Sequence, residues 1–264
     1  ALSTVPYKLA EMRTPEGMRF MGFVGAEQYN NSFLAWSKQA RDGNWILYPR
    51  YTTERADKGI FNLYFLFVGK TARLFGIPAD AAYEITRYII GFALFLAIYA
   101  AICLFFGTSP AAYLKRLYAF GCASVALGLG WIFSLLPGGL TDLLRTKFKI
   151  QPVDSWIIEG FNYMCVMYKP FYAASALFLI LCVIVFFYAV KNEKKYFAGI
   201  FCLLVLCLGF IHFYELITLI AVLTVWLMMK KSRGLKIEKR EYLLAFLAAA
   251  FSFPPLACLG AQNT

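Results

Sequence analysis

The chain has 264 residues, 61% of them hydrophobic and 18% aromatic, and its 26 Lys and Arg against 15 Asp and Glu give a formal net charge of +11. That apolar share exceeds what a soluble domain ordinarily carries. The basic surplus does not point to nucleic acid, because the cations gather at the ends of apolar blocks and not along one face.

Residues 1–87 form a polar, charge-rich segment. Asn30, Asn31 and Ser32 are all helix-capping types. Phe33, Trp36 and Ala40 then recur at helical spacing, and Gly43 suits the helix end. Residues 48–59 read as a charged loop holding Arg50, Glu54, Arg55, Asp57 and Lys58. Residues 60–68 are apolar and aromatic but too short to span, which predicts a helix lying in a membrane interface. Pro78 and Asp80 mark another helix start, expected to run through 79–87 into a first span.

Apolar blocks make up most of the remainder. Residues 88–106, 117–136 and 170–190 carry no charge, 196–229 is interrupted only by His212 and Glu215, and 242–260 closes the series. About twenty apolar residues in a helix cross a hydrocarbon core of about 30 Å. Only a helix satisfies the backbone of such a segment internally. The expected fold is therefore all-α: a polytopic transmembrane bundle over 88–264, preceded by external juxtamembrane helices over 1–87. One helix over 196–229 would be about 51 Å long at 1.5 Å per residue. A hairpin turning at His212-Phe213-Tyr214-Glu215 is expected instead, with spans at 196–211 and 216–229. Pro254 and Pro255 are expected to break or kink the last span.

Lys115 and Arg116, then Lys191, Lys194 and Lys195, then Lys230, Lys231, Arg233, Lys236, Lys239 and Arg240 lie between apolar blocks. By the positive-inside rule these loops are cytoplasmic, in a multi-pass protein of the plasma (inner) membrane. Residues 1–87, 137–169 and the turn 212–215 are then external. An outside start requires a membrane helix ahead of Ala1 or a cleaved signal, and the helix is the one expected. Within 137–169, Pro137-Gly138-Gly139 signals a turn and 140–148 a short helix. Asp154 fits the cap of a second, with Trp156, Phe161 and Tyr163 at the membrane surface. Six of the seven cysteines fall in apolar blocks, with no CxxC, and read as small buried hydrophobes.

No phosphate-binding glycine loop, metalloprotease motif or serine-nucleophile motif is present, and the single histidine excludes a histidine-rich metal site. What remains is a set of external carboxylates and cations beside a membrane. Sugar transfer from a polyprenyl phosphate needs a carboxylate to activate an acceptor hydroxyl. It also needs a cation or a divalent metal to stabilise the departing phosphate. Glu27, Asp154, Glu159 and Glu215 are candidates for the first role; Arg50, Arg55, Lys147 and Lys169 are candidates for the second. His212 with Glu215, recessed between two spans, forms a further candidate pair.

Three runs carry a resemblance: Glu27-Gln28-Tyr29-Asn30-Asn31-Ser32-Phe33-Leu34-Ala35-Trp36, Gln39-Ala40-Arg41-Asp42-Gly43 and Tyr51-Thr52-Thr53-Glu54. Together they resemble the first external loop of bacterial GT-C-like membrane proteins, relatives of polyprenyl-phosphate-sugar-dependent glycosyltransferases. His212-Phe213-Tyr214-Glu215 is similar to a His-Pro-Tyr-acid turn of such proteins, with Phe213 in place of the proline. The resemblance implies a GT-C-like bundle lacking at least its first membrane helix. It also implies a catalytic acid in the first external loop, with Glu27 the nearest match, and a lipid-linked sugar as partner. A transporter or flippase-like protein, or an assembly subunit using its external loops, is the alternative.

Overall fold

A computed structural model describes residues 4–18, 20, 22–25, 27–50, 59–125, 136–147, 162–192 and 194–263. Among these the regular elements are all helical, and the only extended pairing is an isolated antiparallel bridge between Leu47 and Ile60. The helices are α1 (Val5–Met12), α2 (Glu27–Arg41), α3 (Leu63–Leu74), α4 (Ala79–Phe106), α5 (Tyr113–Val125) and α6 (Gly138–Thr146). They continue with α7 (Asn162–Tyr168), α8 (Pro170–Lys191), α9 (Lys195–Ile211), α10 (Tyr214–Ser232) and α11 (Lys239–Asn263). The all-α expectation holds for these residues. The second half of the block 117–136, the loop 51–58 and the region of Asp154, Trp156, Glu159 and Phe161 lie outside them.

Helix α2 begins at Glu27, so Asn30, Asn31 and Ser32 sit inside its first turns and do not cap it. Asn30 is drawn into tertiary bonding instead. Its amide donates to the carbonyls of Gly25 (3.0 Å) and Tyr168 (3.1 Å), and its Oδ1 accepts from the Tyr83 hydroxyl (3.1 Å). The C-terminus follows the expectation. Gly43 has φ +115, its N–H donates to Ala40, and the Asn44 N–H reaches back to Gln39, the paired bonds of a Schellman ending.

Helix α3 starts later and ends later than the apolar run 60–68. It packs Tyr64, Phe65, Leu66, Val68 and Ala72 against α2 and α4, and leaves Phe67 and Leu74 exposed on its other side. A Cβ added at Gly69 would lie 2.4 Å from both the Ala40 Cβ and the Ser37 carbonyl oxygen, so only glycine permits this approach of α3 to α2.

Helix α4 is continuous over 28 residues, with Pro78 at its N-cap and Asp80 in its first turn, as the sequence suggests. At 1.5 Å per residue it is about 42 Å long. Helices α4 and α8 are each long and apolar enough to cross a membrane. Helix α8 packs along α4 on one side and α9 on the other. One flank of α4 leaves Ile89, Phe92 and Leu96 more than half exposed.

Helices α9 and α10 are separate. The break falls at His212, whose backbone is extended, and Phe213. Glu215 therefore sits in the first turn of α10, just past the turn itself. Of the break or kink expected at Pro254 and Pro255, the break does not occur: α11 stays helical through both. A proline inside a helix costs about 3 kcal/mol locally, but α9 presents Gly209 here. A Cβ at Gly209 would be 2.6 Å from Pro255 Cγ, so the ring seats directly against the α9 backbone.

The buried residues form three clusters. One joins α2, α3 and the start of α4 to Phe171 and Ile211. A second fills the space among α8, α9, α10 and α11. The third lies between α4, α7 and α8. The first cluster closes one end of the helical bundle, and the candidate site is cut into it.

Candidate functional site

A cavity of about 270 Å³ opens where α2, the start of α3, the start of α8 and the α9–α10 break converge. Its wall is aromatic. Phe65 stacks on Phe171 at 5.2 Å, Phe33 lies 5.0 Å from Phe65, and Trp36 lies 5.2 Å from Phe65. The His212 ring stands edge-on to Phe171 (5.4 Å) and Tyr172 (5.2 Å). Residues picked out by sequence from two distant runs, Phe33 and Trp36 in one and His212 and Phe213 in the other, thus line the same cavity.

Asn62 fixes this convergence. Its Oδ1 accepts from the Tyr64 and Phe65 N–H groups, capping α3, while its Nδ2 donates to the Ile211 carbonyl at 2.8 Å. The end of a helix leaves such carbonyls without an intrahelical partner. One side chain therefore closes the start of α3 and the end of α9 together, and sets where the next residue, His212, stands. Nothing in a lone Asn62 reveals this, although an asparagine just before an apolar run is a fair signal of a cap.

Lys169 precedes α8 and is only 6% exposed. Its ammonium lies 4.5 Å from the centre of the Tyr29 ring and 5.1 Å from that of Tyr172, cation–π contacts that place positive charge at the cavity's edge. Arg50, exposed, lines an adjoining open cavity of about 650 Å³ that shares Tyr29, Phe33 and Trp36 with the first. Two polar atoms of the aromatic cluster, Trp36 Nε1 and the Tyr64 hydroxyl, are buried without a hydrogen-bond partner among the described residues. Burial pushes the Tyr64 phenol well above its usual range, so it stays protonated.

The other sequence candidates divide as follows. Glu27 opens α2, at the end that carries Tyr29, but its side chain lies outside the described residues, as do Arg55, Asp154 and Glu159. Glu215 does not line the cavity. Burial raises its carboxyl above the ordinary range, against a hydrogen bond from Thr218. Lys147 is exposed just after α6. Among the described residues no group of three or more His, Cys, Asp and Glu comes together to hold a metal.

A separate cavity of about 720 Å³ lies between α1 and the start of α4, with Glu11, Glu16, Asp80 and Glu84 on its wall. Beside it Arg87, 1% exposed at its side chain, pairs with Glu84 at 2.7 Å and stacks on Tyr7 (4.3 Å) and Tyr88 (4.5 Å). The Tyr7 hydroxyl donates to the Met167 carbonyl. Burial pushes the Tyr7 phenol up to about 12, against the pull of Arg87. These contacts pin α1 to α4 and α7 beside this second cavity.

Comparison with protein families, curated proteins and solved structures finds no match for the chain.

Proposed function

We propose that the chain is a multi-pass plasma (inner) membrane protein of GT-C-like type. It transfers a sugar from a polyprenyl-phosphate donor to an acceptor at the outer membrane surface. The observation that carries the reading is the shared cavity: residues 29–36 and 212–213, far apart in sequence, meet around one aromatic chamber with Lys169 at its edge. Aromatic walls suit the first isoprene units of a lipid, and a cation beside them suits its phosphate.

The membrane part of the proposal is supported by the two helices of spanning length and by the exposed apolar flank of α4. The placement of the lysine clusters adds to it. In this arrangement the cavity lies at the outer end of the bundle and the α10–α11 loop at the inner end.

The chemistry is a displacement. A carboxylate takes the proton of the acceptor hydroxyl as that oxygen attacks the anomeric carbon. The bond from that carbon to the phosphate oxygen breaks, and the polyprenyl phosphate leaves with both electrons of the bond. Glu27, at the start of α2, is the proposed base, with Glu159, Asp154 and Glu215 as the remaining carboxylates. Lys169 and Arg50, with Arg55, offset charge on the departing phosphate. His212 orients that phosphate or returns a proton to it.

The test is a transfer assay in membranes containing polyprenyl-linked sugars, comparing wild type with Glu27→Gln at matched levels. Loss of a general base lowers the rate by roughly 10²–10⁴. Unchanged turnover removes Glu27 from the role and leaves Glu159 as the next carboxylate to replace.

A further inference from the structure

We infer that the α8–α9 and α10–α11 loops together form one clamp for the headgroup of an anionic glycerophospholipid carrying two phosphates. The clamp lies at the end of the bundle away from the chamber around His212. The inference rests on the membrane reading and not on sugar transfer.

Residues 191–195 and 230–241 carry nine Lys and Arg against three Glu. Cations beside each apolar block are all that orientation in a membrane requires. The fold does two further things with them. It ties the loops to each other, because Arg240 Nη2 donates to the Lys194 carbonyl at 2.9 Å. It also withdraws negative charge from the surface they share. Glu241 is fully buried, its carboxylate taken up by Lys230, Trp226 and the Glu238 N–H. Lys194 and Lys195 stay exposed on one loop, and Lys231, Arg233, Lys236 and Lys239 on the other. None of these six is ion-paired among the described residues. A basic cluster of this size at the cytoplasmic end of membrane helices attracts anionic headgroups.

A lipid fits this surface better than a free phosphate, because apolar surface begins where the cations end. Tyr196, Ile200 and Leu203 recur at helical spacing along α9 just past Lys195, and all three are exposed. Tyr242, Leu243 and Phe246 form a second exposed apolar patch on α11, just past Arg240 and Glu241. The Lys194 ammonium stands 5.9 Å from the centre of the Tyr196 ring, so cation and aromatic ring already meet at headgroup level. Phosphates held by the loops leave acyl chains to run along these helix flanks. Two tied loops, each leading into its own apolar flank, match a headgroup with two phosphates.

The experiment uses the whole chain in a non-ionic detergent. Tetraoleoyl cardiolipin is the two-phosphate probe, and dioleoyl phosphatidylglycerol and dioleoyl phosphatidylcholine are the one-phosphate probes. Native mass spectrometry counts bound lipids, and a titration gives affinities. Cardiolipin should bind more tightly than phosphatidylglycerol, and phosphatidylcholine most weakly. A lysine beside an anionic headgroup contributes roughly fivefold. Lys194→Gln with Lys195→Gln, and Lys236→Gln with Lys239→Gln, should therefore each weaken cardiolipin by roughly tenfold or more. All four side chains are exposed, so these variants keep the fold. Lys8→Gln with Lys38→Gln removes the same charge from exposed positions on α1 and α2 and should leave the affinity unchanged. Cardiolipin bound no more tightly than the one-phosphate lipids overturns the clamp. So does unchanged affinity in both loop variants, or an equal loss in the Lys8 and Lys38 variant. Displacement of cardiolipin by an equal concentration of inorganic pyrophosphate assigns the loops to a soluble anion and also overturns it. The two readings separate at Lys169. Lys169→Ala should retain cardiolipin, and its loss there moves the lipid into the chamber and sinks the clamp. Cardiolipin binding by a chain without transfer activity keeps the clamp and sinks the transfer reading alone.

Discussion

Asn62 shows how much of this site hangs on single side chains. It caps α3 with one atom and closes the end of α9 with another. Asn62→Ala removes a cap worth about 1 kcal/mol and leaves the Ile211 carbonyl without its donor, a further 1–3 kcal/mol or so if no water replaces it. We expect Asn62→Ala to lower the unfolding temperature and to weaken binding of farnesyl phosphate. Asn62→Ser keeps a capping oxygen but is too short to reach Ile211, so it should fall between the two in thermal unfolding. Equal melting of all three proteins would show that the link to Ile211 carries no energy. Asn30 was legible as a polar residue near a helix start but not as a clasp. Its three partners come from Gly25, Tyr83 and Tyr168, and no local pattern encodes a contact with a residue 138 positions away.

At the scale of elements, the helices that sequence reads best are those set by long charge-free runs. Helices α4 and α8 follow such runs directly, and the His212 break appears where the length argument places it. Two features lie beyond such a reading. Helix α3 buries one face because α2 and α4 flank it, and α11 stays helical through two prolines where Gly209 of α9 makes room for one of them. Both outcomes are decided by neighbours and not by the segment itself. Gly69→Ala tests the closest of these contacts. The added methyl meets Ala40 and the α2 backbone, and overpacking of this kind costs about 1–3 kcal/mol. Reduced thermal stability with separation of α2 from α3 is expected, and a wild-type melt would refute the packing described.

The α10–α11 connection offers a pH test at the same scale. Glu241 is fully buried, accepting from Trp226 Nε1 (3.0 Å), Lys230 Nζ (2.8 Å) and the Glu238 N–H (2.9 Å). Burial alone would raise its carboxyl, but the Lys230 bond and the two others outweigh it and hold the group below the ordinary carboxylate range. A depressed folded-state value means that the ionised form stabilises the fold above the unfolded glutamate value of about 4.3. That contribution is lost as pH falls through the folded value. Acidification below about pH 4 should therefore lower the melting temperature of wild type more than that of Glu241→Gln, whose curve lacks this term. Parallel curves for the two proteins would contradict the assignment.

For the whole molecule, the proposed orientation follows from lysine placement, and it sets the α9–α10 break outside and the α10–α11 loop inside. A cysteine introduced at Asn192 in an otherwise cysteine-free chain should stay unlabelled by a membrane-impermeant reagent in intact cells; labelling there would invert the topology and strand the cavity on the wrong face. The central claim is that the chamber between α2 and the His212 break holds a polyprenyl-phosphate-linked sugar. The most direct measurement is mass spectrometry of lipids that co-purify with the chain from its native membrane, for wild type, Lys169→Arg and Lys169→Ala. The account predicts a polyprenyl-phosphate-linked sugar with wild type, its retention in Lys169→Arg, and its loss in Lys169→Ala protein that still folds. Absence of any such lipid from wild type, or equal amounts in all three, would contradict it.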